Sequence, residues 1–80
     1  MAKFGDIILN HYAGERNPIK YTMFIKYSGR YAKCIDMDGN DVRYDKKDII
    51  NNPEFEIIDN IQIKEQFIKA TIKYLNKQEW

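Results

Sequence analysis

Between two β-patterned apolar runs, the segment Asn10 to Lys20 (NHYAGERNPIK) gathers the residues best suited to recognising a ligand. They are the chain's one histidine, His11, with Tyr12, Glu15, Arg16, Asn17 and Lys20. His11 and Tyr12 offer a pair of rings, Arg16 a planar fork of donors matched to phosphate or carboxylate, and Asn17-Pro18 a turn that would hold Arg16 and Lys20 in place. Strand connections in compact domains run roughly four to six residues, and longer ones tend to be functional or disordered. A purely structural use of the same residues is an ion pair between Glu15 and Arg16, with Asn17 capping a turn.

Catalytic sets are harder to assemble. Ser28 abuts Gly29 with no histidine near it in sequence, and His11 lies far from Cys34, so nothing recommends a nucleophile and base pair. One histidine and scattered aspartates give no ligand pair at motif spacing, so neither a metal nor a cofactor is expected. The run Asp36, Asp38, Asn40 around Gly39 lacks the remaining loop and terminal Glu of a calcium site, and a hairpin turn accounts for it. Tyr21, Tyr27, Tyr31 and Tyr44 interleave with Lys20, Lys26, Arg30, Lys33 and Arg43, as a small barrel would present rings beside cations to a single-stranded nucleic acid. Asp36, Asp38, Asp41, Asp45 and Asp48 oppose a long phosphate-tracking groove.

The elements that must position these groups follow from hydrophobic period. Phe4 to Leu9 reads as a first strand, and Tyr21, Met23, Ile25 and Tyr27 alternate with Thr22, Phe24 and Lys26 as in a strand with one face on a core. Ser28-Gly29 marks a turn, Tyr31 to Met37 a third strand, Asp38-Gly39-Asn40 a hairpin, and Val42 to Tyr44 the returning strand. Lys46 to Asn52 is a connector with room for a short helical turn, Pro53 ends it, and Phe55 to Ile58 reads as a fifth strand. From Asp59 the period becomes helical. Ile61, Phe67, Ile68, Thr71, Ile72 and Leu75 share a stripe, Asp59 and Gln62 form a capping box, and Lys69, Lys73 and Lys77 line another face. The expectation is a mostly β (β+α) single domain over residues 1–80. A five-stranded antiparallel SH3-like barrel would occupy 1–59, and one C-terminal helix, over 60–78, would close an open end or supply an interface.

Composition bounds the rest. A chain of 80 residues buries only roughly 60% of the surface its unfolded form exposes, which makes a homo-oligomer an option. The lone Cys34 cannot form an internal disulfide, and no apolar run nears the ~20 residues that span a bilayer, so a soluble, unprocessed cytoplasmic protein is expected. Ile, Lys, Asn, Tyr and Phe make up half the chain, whereas Leu occurs twice and Val once, a bias toward AT-rich codons that suggests a low-GC bacterial or phage gene. Charge is unevenly spread: +4 over residues 1–35, −5 over 36–59 and +2 over 60–80. That dipole suits an anionic ligand or a head-to-tail contact, and equally a mixed-sign solvated surface.

Two resemblances add to this reading. Lys3-Phe4-Gly5-Asp6-Ile7 and the stretch from Ala13 to Ile25 resemble the opening of the MazF/PemK toxins, SH3-like barrels that cut RNA. Glu15 aligns with their loop, while Lys20 stands at the catalytic Arg position and Tyr21 at the following Pro; Lys cannot reproduce a bidentate guanidinium. Gly5, Asp6, Asn10, Ala13, Asn17, Pro18 and Tyr21 are similar to the pattern of short phage and prophage proteins that open with Gly-Asp ahead of an aromatic strand. That resemblance implies stoichiometric binding, such as blocking a host defence protein or sequestering a nucleotide signal.

Together these features point to a non-catalytic interaction or sequestration module that counteracts a host defence component by binding a protein or an anionic nucleotide. Its expected surface is His11, Tyr12, Glu15, Arg16, Asn17, Lys20 and Tyr21 with Arg30 and Arg43 adjoining. A single-stranded nucleic-acid binder and a degenerate MazF-like ribonuclease are the alternatives. No membrane partner is expected.

Overall fold

Five strands and three short helices make up the fold in a computed structural model that describes residues 2–12 and 20–77. In chain order they are β1 (Ile7–Asn10), β2 (Tyr21–Ser28), β3 (Tyr31–Ile35), β4 (Asp41–Asp45), α1 (Lys46–Asn51), β5 (Phe55–Ile58), α2 (Ile61–Gln66) and α3 (Ile68–Lys77). The strands form one antiparallel sheet in the order β4-β3-β2-β1-β5. Neighbours in sequence pair through β1 to β4, and β5 returns to the free side of β1, with Ile7 opposite Ile58 and Asn10 opposite Phe55.

The turns follow their residue chemistry. Gly29 (φ 60°) and Gly39 (φ 82°) sit in the left-handed region that side chains disfavour, at the β2–β3 and β3–β4 hairpins. Around Gly39, the Asp36 carboxylate accepts from the backbone N–H groups of Asp38 and Asn40, both at 2.9 Å, so that run serves its own turn. Asp45 caps α1 by accepting from the Lys47 N–H.

Strand β2 is buried on both sides, so its apolar residues serve two cores. On one face Ile7, Met23, Ile25 and Ile35 pack with Phe67, Ala70 and Tyr74 from the C-terminal helices. On the other, Ile8, Phe24, Ala32, Cys34 and Ile49 pack with half-buried Tyr27, Val42, Tyr44 and Phe55. The rings of Tyr44 on β4 and Phe55 on β5 lie 4.9 Å apart, although these are opposite edges of the sheet. Four strand spacings laid flat would hold them roughly 19 Å apart. The sheet therefore curls around this second core, with α1 bridging the ends.

Three sequence expectations are corrected. Strict alternation would put Tyr27 with Tyr21, Met23 and Ile25, but the β2–β3 register shifts between Phe24 and Lys26, a bulge that keeps Ile25 and Lys26 on the α3 side and sends Tyr27 to the other core. The single C-terminal helix is two, separated at Phe67 (φ −93°, ψ 2°), and α1 makes a third. Asn60, not Asp59, caps α2, its side chain accepting from the N–H groups of Gln62 and Ile63.

The stripe expected to run from Ile61 to Leu75 is divided as well. Phe67, Ala70 and Tyr74 face the sheet, whereas Ile61, Ile68, Ile72 and Leu75 lie exposed. Close approach decides the rotation: a Cβ at Gly39 would lie 3.0 Å from Lys73 Cδ and 3.4 Å from the Ala70 carbonyl oxygen. The missing side chain at Gly39 leaves room for α3 against that turn, and Phe67, Ala70 and Tyr74 then fill the core.

Candidate functional site

The structure separates the expected surface into two places. At the base of the long connection, the Asn10 N–H donates to the Lys20 carbonyl (2.8 Å), and the Asn10 carboxamide oxygen accepts from the Tyr12 N–H (2.9 Å). His11 turns toward β5, its Nε2 lying 3.0 Å from Glu56 Oε1. Tyr12 meets the Phe55 ring edge-on at 5.8 Å, and its hydroxyl accepts a long hydrogen bond from the Asn52 amide at 3.4 Å. Lys20 Nζ lies 5.4 Å from the centroid of the Tyr21 ring, which is half-buried against the first core. Glu15, Arg16 and Asn17 lie outside the described residues. His11, Tyr12, Lys20 and Tyr21 are thus neighbours around the loop base, bound largely to their own scaffold.

Arg30 and Arg43 do not join them. Tyr21 opens β2 and Ser28 closes it, so the β2–β3 turn that holds Arg30 lies roughly 23 Å along the strand from Tyr21. Around that far end, three of the cations that the sequence interleaves with tyrosines come together. The register sets Lys26 directly opposite Lys33 and Lys33 directly opposite Arg43, all on the side of the sheet that α3 covers. Adjacent strands are about 4.8 Å apart, so the backbones of three cationic residues stand abreast within roughly 10 Å. Like charges directly opposite one another destabilise a sheet.

Asp41 and Asp45 flank Arg43 on its own strand face, but among the described residues neither lies in ion-pair contact with the row. Lys33 Nζ lies over the Tyr74 ring at 5.4 Å, and the Arg43 guanidinium over the Tyr31 ring at 5.5 Å. Asp45, on the same strand face as Arg43, is committed to capping α1. Among the described residues the ion pairs are His11–Glu56 and Lys64–Asp59, and neither touches this row. A shallow cleft of about 210 Å³ opens here, lined by Ser28, Tyr31, Lys33, Asp41 and Arg43. Tyr31 keeps 41% of its surface exposed. Chemically the site offers a ring face, a cluster of donors and one carboxylate, a set that binds anions and planar groups.

Groups with shifted acidity lie elsewhere, in the second core. Burial pushes the Cys34 thiol up to about 12, with the Thr22 hydroxyl opposing that rise. Burial also raises the Tyr44 phenol, against the lowering effect of Thr22 and Asn10. The Thr22 and Tyr44 hydroxyls are sealed from water without a well-aligned hydrogen-bond partner, so their mutual proximity offsets only part of the desolvation. A thiol this buried stays protonated and unreactive.

That thiol makes stability fall in alkali. From about pH 9 to about 12 the folded chain retains a proton that the unfolded chain loses, so stability decreases with rising pH by roughly 1 kcal/mol per unit, and below that window the group contributes nothing. Urea unfolding midpoints measured at rising pH should fall steeply through this range in the native chain and more gently in Cys34→Ala.

No helix is long and apolar enough to cross a membrane among the described residues. Compared with protein-family models, with curated proteins and with solved structures, the chain matches none. Its function therefore rests on the geometry above.

Proposed function

We propose that this chain is a non-catalytic interaction module, built on an SH3-like barrel, that sequesters an anionic nucleotide on the face formed by β2, β3 and β4. The observation that carries this is the alignment of Lys26, Lys33 and Arg43 across three strands beside the exposed ring of Tyr31, with no carboxylate in ion-pair contact among the described residues. The row spans about two phosphate groups, and Tyr31 offers a base a stacking surface. The barrel reading is supported by the β1-to-β4 meander, the return of β5 to β1, the short helix between β4 and β5, and the curl that brings Tyr44 to Phe55. The N-terminal likeness to phage proteins directs the proposal toward a host defence component that depends on such a nucleotide.

Calorimetric titration tests it. A nucleoside diphosphate should bind more tightly than inorganic pyrophosphate, because only the former has a ring to place on Tyr31; absence of binding by any mono- or dinucleotide overturns the reading. A single-stranded nucleic acid is the second reading, favoured by the continuation of the basic surface onto α3, where Tyr74 lies under Lys33 and Lys73 and Lys77 follow along the helix. Affinity for a short oligonucleotide would then fall with salt in proportion to several phosphates, against one or two for a nucleotide.

A further inference from the structure

The C-terminal helices leave a second surface uncovered, independent of the anion site. Ile61 is 72% exposed, Ile68 and Ile72 are 55% exposed and Leu75 50%, and the last three recur at the spacing of a single helix face. Three large aliphatic side chains on one face of α3 form the kind of apolar patch that marks an interaction site. Lys69, Lys73 and Lys77 run beside them at a four-residue pitch, and Ile72 shares with these lysines and Asn76 an open groove of about 550 Å³. Lys73 is held in place, its Nζ donating to the Asp38 carbonyl at 3.1 Å. Neither Lys69 nor Lys77 has an ion pair among the described residues.

We propose that this face docks an amphipathic helix of another protein, one that carries acidic residues along the edge of its apolar stripe. Charge complementarity selects that occupant. α3 holds three lysines, Lys69, Lys73 and Lys77, and no carboxylate, a net +3. A second copy packed stripe to stripe would bring two such faces together at close range, whereas an acidic helix neutralises the lysines while covering the isoleucines. Two amphipathic helices pack stripe to stripe when each carries apolar residues at this i, i+4, i+7 spacing, which Ile68, Ile72 and Leu75 supply here.

The test uses the full chain with two labelled synthetic peptides of about 18 residues, long enough to form a helix on binding. Both carry leucines at helical spacing; one has Glu and the other Lys flanking them. Fluorescence anisotropy should give at least about tenfold tighter binding of the acidic peptide. Ile72→Asp should remove binding without altering the thermal melt, since the side chain is half exposed, and the double variant Lys69→Glu, Lys77→Glu should reverse the peptide preference. Arg43→Ala should leave peptide binding unchanged, so failure here and failure at the nucleotide site are separable. Equal binding of the two peptides, or none, overturns the proposal. So does a sedimenting dimer that Ile72→Asp dissociates, which would assign the face to a second copy, or flotation with phosphatidylglycerol vesicles in the absence of peptide binding, which would assign it to a lipid surface.

Discussion

Lys33→Glu is expected to weaken nucleotide binding by about 100-fold and, in the same protein, to raise the thermal unfolding temperature by a few degrees. Losing one charge-assisted contact to a phosphate costs roughly 1.5 kcal/mol, and replacing attraction by repulsion adds a similar amount. Stability moves the other way because Lys33 is flanked directly across the sheet by Lys26 and Arg43. A carboxylate at the centre turns two repulsive cross-strand pairs into attractive ones, a gain of roughly 0.2–1 kcal/mol per pair. Part of that gain is offset by loss of the contact with the Tyr74 ring. For a domain of this size 1 kcal/mol corresponds to about 4–8 °C. Paired measurement of affinity and melting temperature therefore distinguishes a row maintained for binding from ordinary surface lysines. A variant that loses stability, or that binds as before, would show that the row is not a ligand site.

Phe67→Ala is expected to cost about 3–5 kcal/mol, read as a fall in the urea midpoint or a drop of roughly 15 °C or more in the melting temperature. Its ring is completely buried between the two C-terminal helices and the sheet. A domain of this length has a total stability of only about 4–12 kcal/mol, so the variant should lose about a quarter of it or more. Ile72→Ala, five residues beyond Phe67, should change stability by less than about 0.5 kcal/mol, because Ile72 is half exposed. The sequence pattern places both residues on the same stripe and would assign them similar costs. The contrast between them measures how α3 is rotated on the sheet.

Much of the architecture was legible in period and turn chemistry. β5 occupies Phe55–Ile58 as the pattern predicts, and β2 and β3 begin at the expected residues, because Ser28-Gly29 and the Asp38-Gly39-Asn40 turn punctuate them. The helical turn after Asp45 is present as α1, since an Asp N-cap followed by polar residues and Ile49 describes a short amphipathic helix. The cationic row was within reach of the sequence too. Counting two residues back from each side of the Ser28–Tyr31 turn pairs Lys26 with Lys33, and the next hairpin brings Arg43 to Lys33. The basic residues of the long loop are neighbours in sequence, whereas those of the row are neighbours only across strands.

From its residues alone, the chain determines where strands and helices form and where it must turn, because apolar period and positive-φ glycines are local properties. Only the tertiary structure decided which side each strand residue faces after the Ile25 bulge, which of two apolar helix stripes meets the sheet, and that Arg30 and Arg43 stand toward the end of the sheet away from Tyr21. These outcomes depend on close approach, of Ala70 to Gly39 and of Tyr44 to Phe55, between residues far apart in sequence. Such contacts are selected by the fit of whole elements, which no single segment encodes.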